Sequence, residues 1–226
     1  MDLLVRTKQV AAEKAVSYIS NNMIVGLGTG STAIHAIRTI ANKIKNNSLK
    51  IQGGVPTSVQ SKNLAIELGI PLLSDWDEVD VTIDGADEVD VNGCLIKGGG
   101  GALTWEKIVA SSTKKQIIVV DESKLVQTLG KFPLPVEVIQ FGWQVTKHKV
   151  EMLGCKANLR THNNDLVITD NHNYILDSQF KEIKKPAELS KALNSIPGVV
   201  ENGLFVNMTH LVIVGNSDGS VREIIY

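Results

Sequence analysis

The chain has 226 residues, of which 43% are hydrophobic and 21% are charged, as in an ordinary globular protein with one large domain or two smaller ones. Its net charge of −1 offers no polybasic surface, and no apolar run could span a bilayer or act as a signal peptide, so we expect neither a nucleic acid nor a membrane as partner. Cys94 and Cys155 are too few for a disulfide framework, and a cytoplasmic location is expected.

The N-terminal segment predicts a helix, then a strand, a glycine loop and a second helix. Apolar residues recur at helical spacing over residues 2–20, and Lys8 on this helix faces either water or a ligand, with water the more ordinary choice. A short buried strand, M-I-V-G-L, leads through G-T-G-S-T into a helix with a stripe of isoleucines. The segment is therefore a strand–loop–helix unit.

The glycine loop, Gly26–Thr32, matches neither common nucleotide-binding motif. The dinucleotide fingerprint would need a glycine at Ser31, and a P-loop would need a lysine after the last glycine. The glycines, the hydroxyls of Thr29, Ser31 and Thr32, and a helix N-terminus together suit a single phosphate monoester. A helix capped by Ser31 or Thr32, the natural N-cap residues here, would give the same pattern after a tight turn without a ligand, and this segment alone does not decide between the two.

Strands and helices alternate from residue 20 to residue 125, which predicts right-handed βαβ units and a mostly parallel sheet. The run V-D-V-T-I-D alternates apolar and polar residues and ends at Asp84, and the buried run Q-I-I-V-V-D ends shortly before Lys124. Ligands bind at the carboxyl ends of the strands in such sheets. Asp84, Lys124 and the Thr29 loop are therefore expected on the same side.

The pattern changes at Phe132–Pro135. The following segment predicts β-α-β-β-α-β with one additional short strand, which is a small α+β domain of the split βαβ type. The strand M-T-H-L-V-I-V-G then returns to the first sheet. We expect one domain over residues 1–130 plus 208–226, and a smaller one over residues 131–207.

The segment from Asp84 to Lys107 concentrates reactive side chains around four consecutive glycines. The glycine run enters a predicted helix whose N-terminal N–H groups are available to an anion, and Glu106 is expected about two turns into that helix. A flexible turn and solvated carboxylates would explain each feature separately. Acid, base, cation and amide donors on one strand–loop–helix unit instead predict a site.

The histidines show no metal-binding spacing, so we expect no metal, and no cofactor is expected either. The absence of a G-x-S-x-G elbow argues against an α/β-hydrolase. Carboxylates, lysines, hydroxyls and glycine amides suit the removal of a proton next to a carbonyl. That chemistry needs a positioned base, fixed donors for an enediolate oxygen and a remote phosphate handle. Isomerisation of a sugar phosphate meets all three requirements.

Several motifs resemble ribose-5-phosphate isomerase of the A type, in order and over nearly the whole chain. They are G-L-G-T-G-S-T, D-G-A-D-E-V-D, K-G-G-G-G-A-L-T-W-E-K-I-V-A, D-E-S-K, G-K-F-P-L-P-V-E-V and I-P-G-V-V-E-N-G-L-F. The resemblance implies interconversion of ribose 5-phosphate and ribulose 5-phosphate in the non-oxidative pentose phosphate pathway, without a metal. It also implies an α/β fold, with a Rossmann-like sheet and a ferredoxin-like α+β domain, assembled as a homodimer or a tetramer.

The resemblance also implies roles for individual residues. Glu106 matches the base that moves a proton between carbons 1 and 2, and Asp84 matches a residue that assists opening of the furanose ring. Asp87 and Lys97 match residues that hold and polarise the sugar oxygens, and the glycine amides after Lys97 match donors to the enediolate oxygen. The other substrate-binding matches are Thr29, Gly30, Ser31, Thr32, Gly85, Ala86, Gly98, Gly99, Gly100 and Lys124, with Lys8 as a phosphate contact.

Trp105 departs from the family pattern, in which many members carry a basic residue just before the catalytic glutamate. An apolar ring here would either shield Glu106 or pack against the next domain. Two other functions fit the sequence less well. Another sugar-phosphate enzyme, such as an aminosugar-phosphate isomerase/deaminase or a lactonase, would need a histidine that the motif segments lack, and a non-catalytic sugar-phosphate sensor would not need an intact Glu106, Asp84 and Lys97.

Overall fold

The computed structural model describes residues 3–226, with side chains from Arg6 onward. Its helices are α1 (Leu3–Val16), α2 (Ser31–Lys45), α3 (Val59–Glu67), α4 (Leu103–Ser111), α5 (Trp143–Glu151) and α6 (Pro186–Asn194), with a 3-10 turn at Glu122–Lys124. Its strands are β1 (Ile24–Leu27), β2 (Gly53–Pro56), β3 (Val79–Asp84), β4 (Glu88–Val89), β5 (Leu95–Ile96), β6 (Thr113–Asp121), β7 (Leu134–Val138), β8 (Lys156–Leu159), β9 (Thr161–His162), β10 (Asp165–Leu166), β11 (Tyr174–Gln179), β12 (Val199–Asn202), β13 (Leu204–Phe205), β14 (Leu211–Gly215) and β15 (Val221–Ile225). Among these helices, none combines the length and the apolar character needed to cross a bilayer.

The first of two compact units contains the described residues up to Ala86, Trp105–Leu125 and Met208–Tyr226. Its six-stranded sheet has the order β15-β14-β6-β3-β1-β2, and every neighbouring pair is parallel except β14 with β15. The α/β fold with a mostly parallel sheet is therefore confirmed. The strand predicted to return to this sheet does so as β14, beside β6.

The core of this unit lies where α1 and α2 pack on the sheet. Ile37 and Ile40 of α2 are buried there against alternate strand residues such as Val81 and Ile83. An amphipathic helix buries one stripe of side chains, which is why the isoleucine spacing predicted this helix. Strands covered on a face by helices carry the continuous apolar runs seen in the sequence.

The second unit contains Asp87–Thr104 and Val126–Asn207. Its four-stranded antiparallel sheet has the order β12-β7-β11-β8, so the four main strands stand in the order last, first, third, second. With α5 after β7 and α6 before β12, this is the ferredoxin-like split βαβ arrangement. The additional short strand predicted from L-V-I-T-D is limited to Asp165–Leu166, paired with β9 as a hairpin.

The domain boundaries expected at residues 130 and 208 stay a prediction, and the compact units differ from them in two places. The second unit resumes at Val126 rather than at residue 131, and it also takes in one earlier segment. Asp87–Thr104 belongs to the second unit. Within that unit the Glu88 carboxylate accepts hydrogen bonds from the N–H groups of Gly130 (2.8 Å) and Phe132 (2.6 Å), and β5 pairs with β13. A buried carboxylate fixed by two backbone donors ties this segment to residues far along the chain.

Candidate active site

Polar residues follow three neighbouring strands of the first unit. The Thr29 loop follows β1, Asp84 ends β3, and Lys124 lies in the 3-10 turn after β6. Because β1, β3 and β6 are adjacent and parallel, these three segments emerge at the same edge of the sheet. The structure therefore places them where the alternation of strands and helices predicted.

Asp84 is fixed to the glycine loop. Its side chain is fully buried, and its Oδ1 atom accepts hydrogen bonds from the N–H groups of Thr29 (2.9 Å) and Gly85 (2.8 Å). A Cβ atom at Gly28 would lie 2.6 Å from Asp84 Cα and would also collide with the carbonyl of Ile83. Glycine is therefore required at this position for the loop to reach the carboxylate.

The loop then opens into an uncapped helix N-terminus. Gly30, with φ 97°, is the N-cap of α2 and offers no side chain, so the expected cap by Ser31 or Thr32 is wrong. Ser31 is exposed, and its hydroxyl accepts a hydrogen bond from the Lys8 ammonium group at 3.0 Å. An ammonium, a hydroxyl and helical N–H groups now lie together, which is a suitable arrangement for a phosphate.

The side chain of Thr29 is turned to the loop after β2. Its hydroxyl lies 2.7 Å from the hydroxyl of Thr57 and donates to that of Ser58 at 2.8 Å. Ser58 is the N-cap of α3 in a reciprocal pair with Ser61. The hydroxyl of Thr29 thus binds the loop after β2, while the backbone N–H of Thr29 donates to Asp84.

Glu106 lies in the first turn of α4, which begins at Leu103, so the expected depth of about two turns is wrong. Its side chain is only 4% exposed. The neighbouring Trp105 is half-buried and, with Trp76 and Ile108, lines an apolar cavity of about 520 Å³ within the first unit.

In the second unit, Asp87 and Lys97 flank the glycine run. Lys97 is 2% exposed, and its ammonium group lies 5.4 Å from the centre of the Phe205 ring. The Asp87 Oδ2 atom accepts a hydrogen bond of 2.7 Å from the N–H of Gly99, and a Cβ atom at Gly99 would collide with that carboxylate. Asp87 and the glycine turn are thus in direct contact.

The glycine run forms a tight turn. The N–H of Gly101 donates to the carbonyl of Gly98 at 2.9 Å, and these two residues have φ angles of 87° and 93°. Residues with side chains rarely adopt such angles, so the turn requires glycine at both ends. The structure places Gly85 and Ala86 directly after Asp84 in the first unit and Gly98–Gly100 in the second.

The sequence model of the family described as ribose 5-phosphate isomerase A (phosphoriboisomerase A) matches residues 53–219. The chain belongs to this family. Ribose-5-phosphate isomerase A 1 of Oceanobacillus iheyensis is 49% identical, and the alignment covers 94% of this chain and 96% of that protein. Ribose-5-phosphate isomerase A of Jannaschia sp. is 47% identical, with 96% of this chain and 86% of the relative covered.

Solved structures of family members have the same fold. Ribose 5-phosphate isomerase from Plasmodium falciparum has a TM-score of 0.94 at 40% identity, with 98% of this chain and 99% of that chain covered. A D-ribose-5-phosphate isomerase in complex with phospho-erythronic acid has a TM-score of 0.93 at 45% identity, with 97% and 98% covered. The resemblance to the isomerase A family and the expected fold class are thus confirmed.

Two features of this family member escaped the sequence reasoning. Arg160, after β8, contacts the glycine turn and pairs with Asp177 on the neighbouring strand β11. Glu137 on β7 is buried and accepts hydrogen bonds from Thr104, Thr169 and Asn173. No motif joins residues so far apart in the chain, and the only available signal was a charged residue within a predicted strand.

Among residues 6–226, no three histidine, cysteine, aspartate or glutamate side chains lie together as a metal-binding group. His35 is half-buried on α2, one turn after Ser31. Burial lowers the pKa of His35, and the positive charges of Arg38 and Lys8 lower it further. Burial raises the pKa of the Cys94 thiol, which disfavours the reactive thiolate.

Proposed function

We propose that this protein interconverts D-ribose 5-phosphate and D-ribulose 5-phosphate through an enediolate. Membership of the isomerase A family supports the reaction, and relatives aligned over nearly their whole length carry that name. The observation that carries the proposal is the contact between Asp84 and the Thr29 loop, since it links a buried carboxylate to a loop suited to phosphate.

The phosphate group is the first element of recognition. Lys8, Ser31 and the N-terminus of α2 supply a positive charge, a hydroxyl and N–H groups, and Lys124 at the same sheet edge adds a second ammonium group. Binding energy from a group that does not react holds the sugar carbons in place for the chemical step.

The chemistry then follows from the carboxylates. Asp84 assists opening of the furanose ring, and Glu106 removes the proton from carbon 2 of the open aldose. The electron pair of that bond forms the double bond of the enediolate, and the negative charge develops on the oxygen of carbon 1. The proton on the oxygen of carbon 2 passes to the oxygen of carbon 1, and Glu106 returns its own proton to carbon 1. Carbon 2 then carries the carbonyl of the ketose. Burial of Glu106 keeps the abstracted proton from bulk water.

Asp87, Lys97 and the glycine turn act on the sugar oxygens. Lys97 supplies a positive charge from a buried position, where electrostatic interactions are strong. The Asp87 carboxylate accepts one hydrogen bond from the Gly99 N–H, and its remaining acceptor positions bind the hydroxyl groups of the sugar. The N–H group of Gly100 donates to the developing oxyanion, as in other oxyanion holes.

The finer properties of the family complete the proposal. We place the protein in the cytoplasm and in the non-oxidative pentose phosphate pathway, without a metal or cofactor, and as a homodimer or tetramer. Sedimentation equilibrium of the purified protein distinguishes those assemblies from a monomer. A monomer with full turnover would contradict the proposed assembly and leave the reaction intact.

The deciding experiment is the turnover of ribose 5-phosphate by purified protein in the presence of EDTA, with the Glu106→Gln variant alongside. We expect activity to survive EDTA and to fall about 10²-fold or more in the variant, because a general base is lost while its shape is kept. Glu67→Gln, an exposed change in α3, is the matched control. An active Glu106→Gln variant would remove Glu106 from its role, and an inactive wild type that still binds ribose 5-phosphate would favour a sensor.

Phospho-erythronic acid, which one solved relative binds, is a useful second probe. We expect it to compete with ribose 5-phosphate and to bind more weakly to a Lys124→Ala variant, since that variant lacks one ammonium group at the sheet edge. Unchanged inhibition and an unchanged KM in Lys124→Ala would remove Lys124 from the site.

A further inference from the structure

Arg160 holds the glycine turn of the second unit by its carbonyl groups. The Nη1 atom donates to the carbonyl of Gly98 at 2.8 Å and to that of Gly99 at 3.0 Å. The Arg160 side chain is only 12% exposed; the hydrogen bond to Gly98 is partly shielded from water, and the one to Gly99 is exposed. Hydrogen bonds from a charged donor are the stronger kind, and here two converge on one short turn.

Asp177 fixes the guanidinium group in turn. Its carboxylate accepts from the Nε atom of Arg160, at 3.0 Å to Oδ2, and from Nη2. Asp177 lies on β11, and Arg160 directly follows β8, the neighbouring antiparallel strand, in which Leu159 lies opposite Leu176 of β11. A planar guanidinium can bind a carboxylate with one edge and carbonyls with another, whereas a lysine ammonium has no such fork.

The orientation of the carbonyls decides the orientation of the amides. In a trans peptide the C=O and N–H bonds point in opposite directions. With the carbonyls of Gly98 and Gly99 held at Arg160, the N–H groups of Gly99 and Gly100 point away from it. The Gly99 N–H binds Asp87 at 2.7 Å. Gly100 is an exposed residue, and no acceptor within residues 6–226 binds its N–H group.

We propose that Arg160 and Asp177 are positioning residues for the isomerisation, which hold the turn so that the Gly100 N–H meets the oxygen of the enediolate. This inference rests on the proposed function of the turn. The positive charge at the Gly98 and Gly99 carbonyls also polarises both peptide groups, which makes their N–H groups better donors. Arg160 acts through the turn and need not touch the substrate.

The test compares steady-state kinetics of wild type, Arg160→Ala and Arg160→Lys. A donor needed only in the transition state affects kcat and leaves KM nearly unchanged, so we expect kcat of Arg160→Ala to fall about 10²-fold at nearly constant KM. Arg160→Lys should fall less, because an ammonium group reaches one carbonyl but cannot also bind Asp177. Arg222→Ala, an exposed change on β15, is the control.

Two further measurements separate positioning from a merely structural role. Guanidinium chloride, well below denaturing concentrations, should raise kcat of Arg160→Ala and not that of wild type or Glu106→Gln. Asp177→Asn keeps the arginine and the strand pairing, and its kcat should fall about tenfold, since the guanidinium loses its ionic partner. If Arg160→Ala does not fold by circular dichroism, Arg160→Lys and Asp177→Asn decide the question alone.

The amides themselves give a readout that does not depend on activity. In protein labelled with ¹⁵N-glycine, Arg160→Ala should shift the amide resonances of Gly99 and Gly100 and speed hydrogen exchange at Gly100. An active wild type with unchanged kcat in folded Arg160→Ala and Asp177→Asn would overturn the inference and leave the proposed function standing. An inactive wild type would overturn the proposed function, and the amide shifts would still test whether Arg160 holds the turn.

Discussion

The two glycine turns of this isomerase family member are built alike and held in opposite ways. Each contains a glycine of positive φ, Gly30 at 97° and Gly98 at 93°, and each leads toward a helix. The first is held through the N–H group of Thr29, which donates a hydrogen bond to the carboxylate of Asp84. The second is held mainly through its carbonyl groups, to which the guanidinium of Arg160 donates.

This difference matters for the ligands that the two turns are proposed to bind. Asp84 binds the first turn without using the N-terminal N–H groups of α2, so these groups, with Lys8 and Ser31 nearby, are available to the proposed phosphate. A cation at the carbonyls of the second turn directs the Gly100 N–H outward. Glycine spacing thus predicts where a backbone bends, and the residues that hold it decide which atoms it presents.

The largest effect is expected from Asp84→Asn, which removes the negative charge of the side chain that holds the first turn and keeps its shape. The asparagine oxygen can still accept from Thr29 and Gly85, so the fold should survive, while turnover should fall about 10²-fold or more, because an acid–base group is lost. Steady-state kinetics and a thermal melt measure both effects. Asp75→Asn, exposed in a loop, is the control. Near-normal turnover of Asp84→Asn would leave Asp84 with only a structural role in the loop.

A smaller effect is expected from Lys8→Ala. The loss of a charged donor to phosphate should raise KM about tenfold, and kcat should change less, because the phosphate is bound alike in the ground and transition states. Lys45→Ala, exposed at the end of α2, is the control. If KM of Lys8→Ala stayed at the wild-type value, the phosphate would have to bind elsewhere than at the Lys8–Ser31 pair.

The first turn was more predictable from the sequence than the second. Asp84 ends the strand next to β1, and the alternation of strands and helices already places such ends together. Short-range patterns also identified the parallel sheet and the isoleucine stripe of α2. In contrast, the cap of α2 was missed, since a glycine with φ 97° leaves no side-chain signal.

The second turn depends on contacts between distant residues, which no local pattern contains. Arg160 lies 62 residues after Gly98, and its pairing with Asp177 follows from the register of two antiparallel strands. That register is set by packing of the apolar faces and by the intervening hairpin, neither of which has a residue-specific motif. The network around Glu137 was missed for the same reason.

Substitution of glycines tests the first turn further. Gly28→Ala would place Cβ 2.6 Å from Asp84 Cα and against the carbonyl oxygen of Ile83, backbone atoms that cannot rotate aside as a side chain does, and we expect a loss of about 3 kcal/mol in the free energy of unfolding. Gly30→Ala meets no atom within 4 Å, and its cost should be about 1 kcal/mol, from the positive φ alone. Urea denaturation measures both, and equal losses would show that crowding at Gly28 is not the constraint.

The smallest effect concerns His35, one turn after Ser31 on α2. Burial lowers the pKa of His35 most, and the charges of Arg38 and Lys8 lower it further. As the pH falls, this side chain therefore takes up a proton near pH 6.5 in the unfolded chain and only at lower pH in the folded chain. The free energy of unfolding should therefore decline as the pH falls below about 6.5, and this part of the decline should be absent in His35→Gln. A pH series of urea melts measures the difference, and parallel curves would contradict it.

The same histidine reports on the anion site of the first turn. An anion bound beside Lys8 offsets a positive charge that lowers the pKa of His35, so inorganic phosphate should raise that pKa in an NMR titration. The rise should be lost in Lys8→Ala. A His35 titration that phosphate leaves unmoved, at concentrations that inhibit turnover, would place the phosphate away from α2 and remove the first turn from substrate binding.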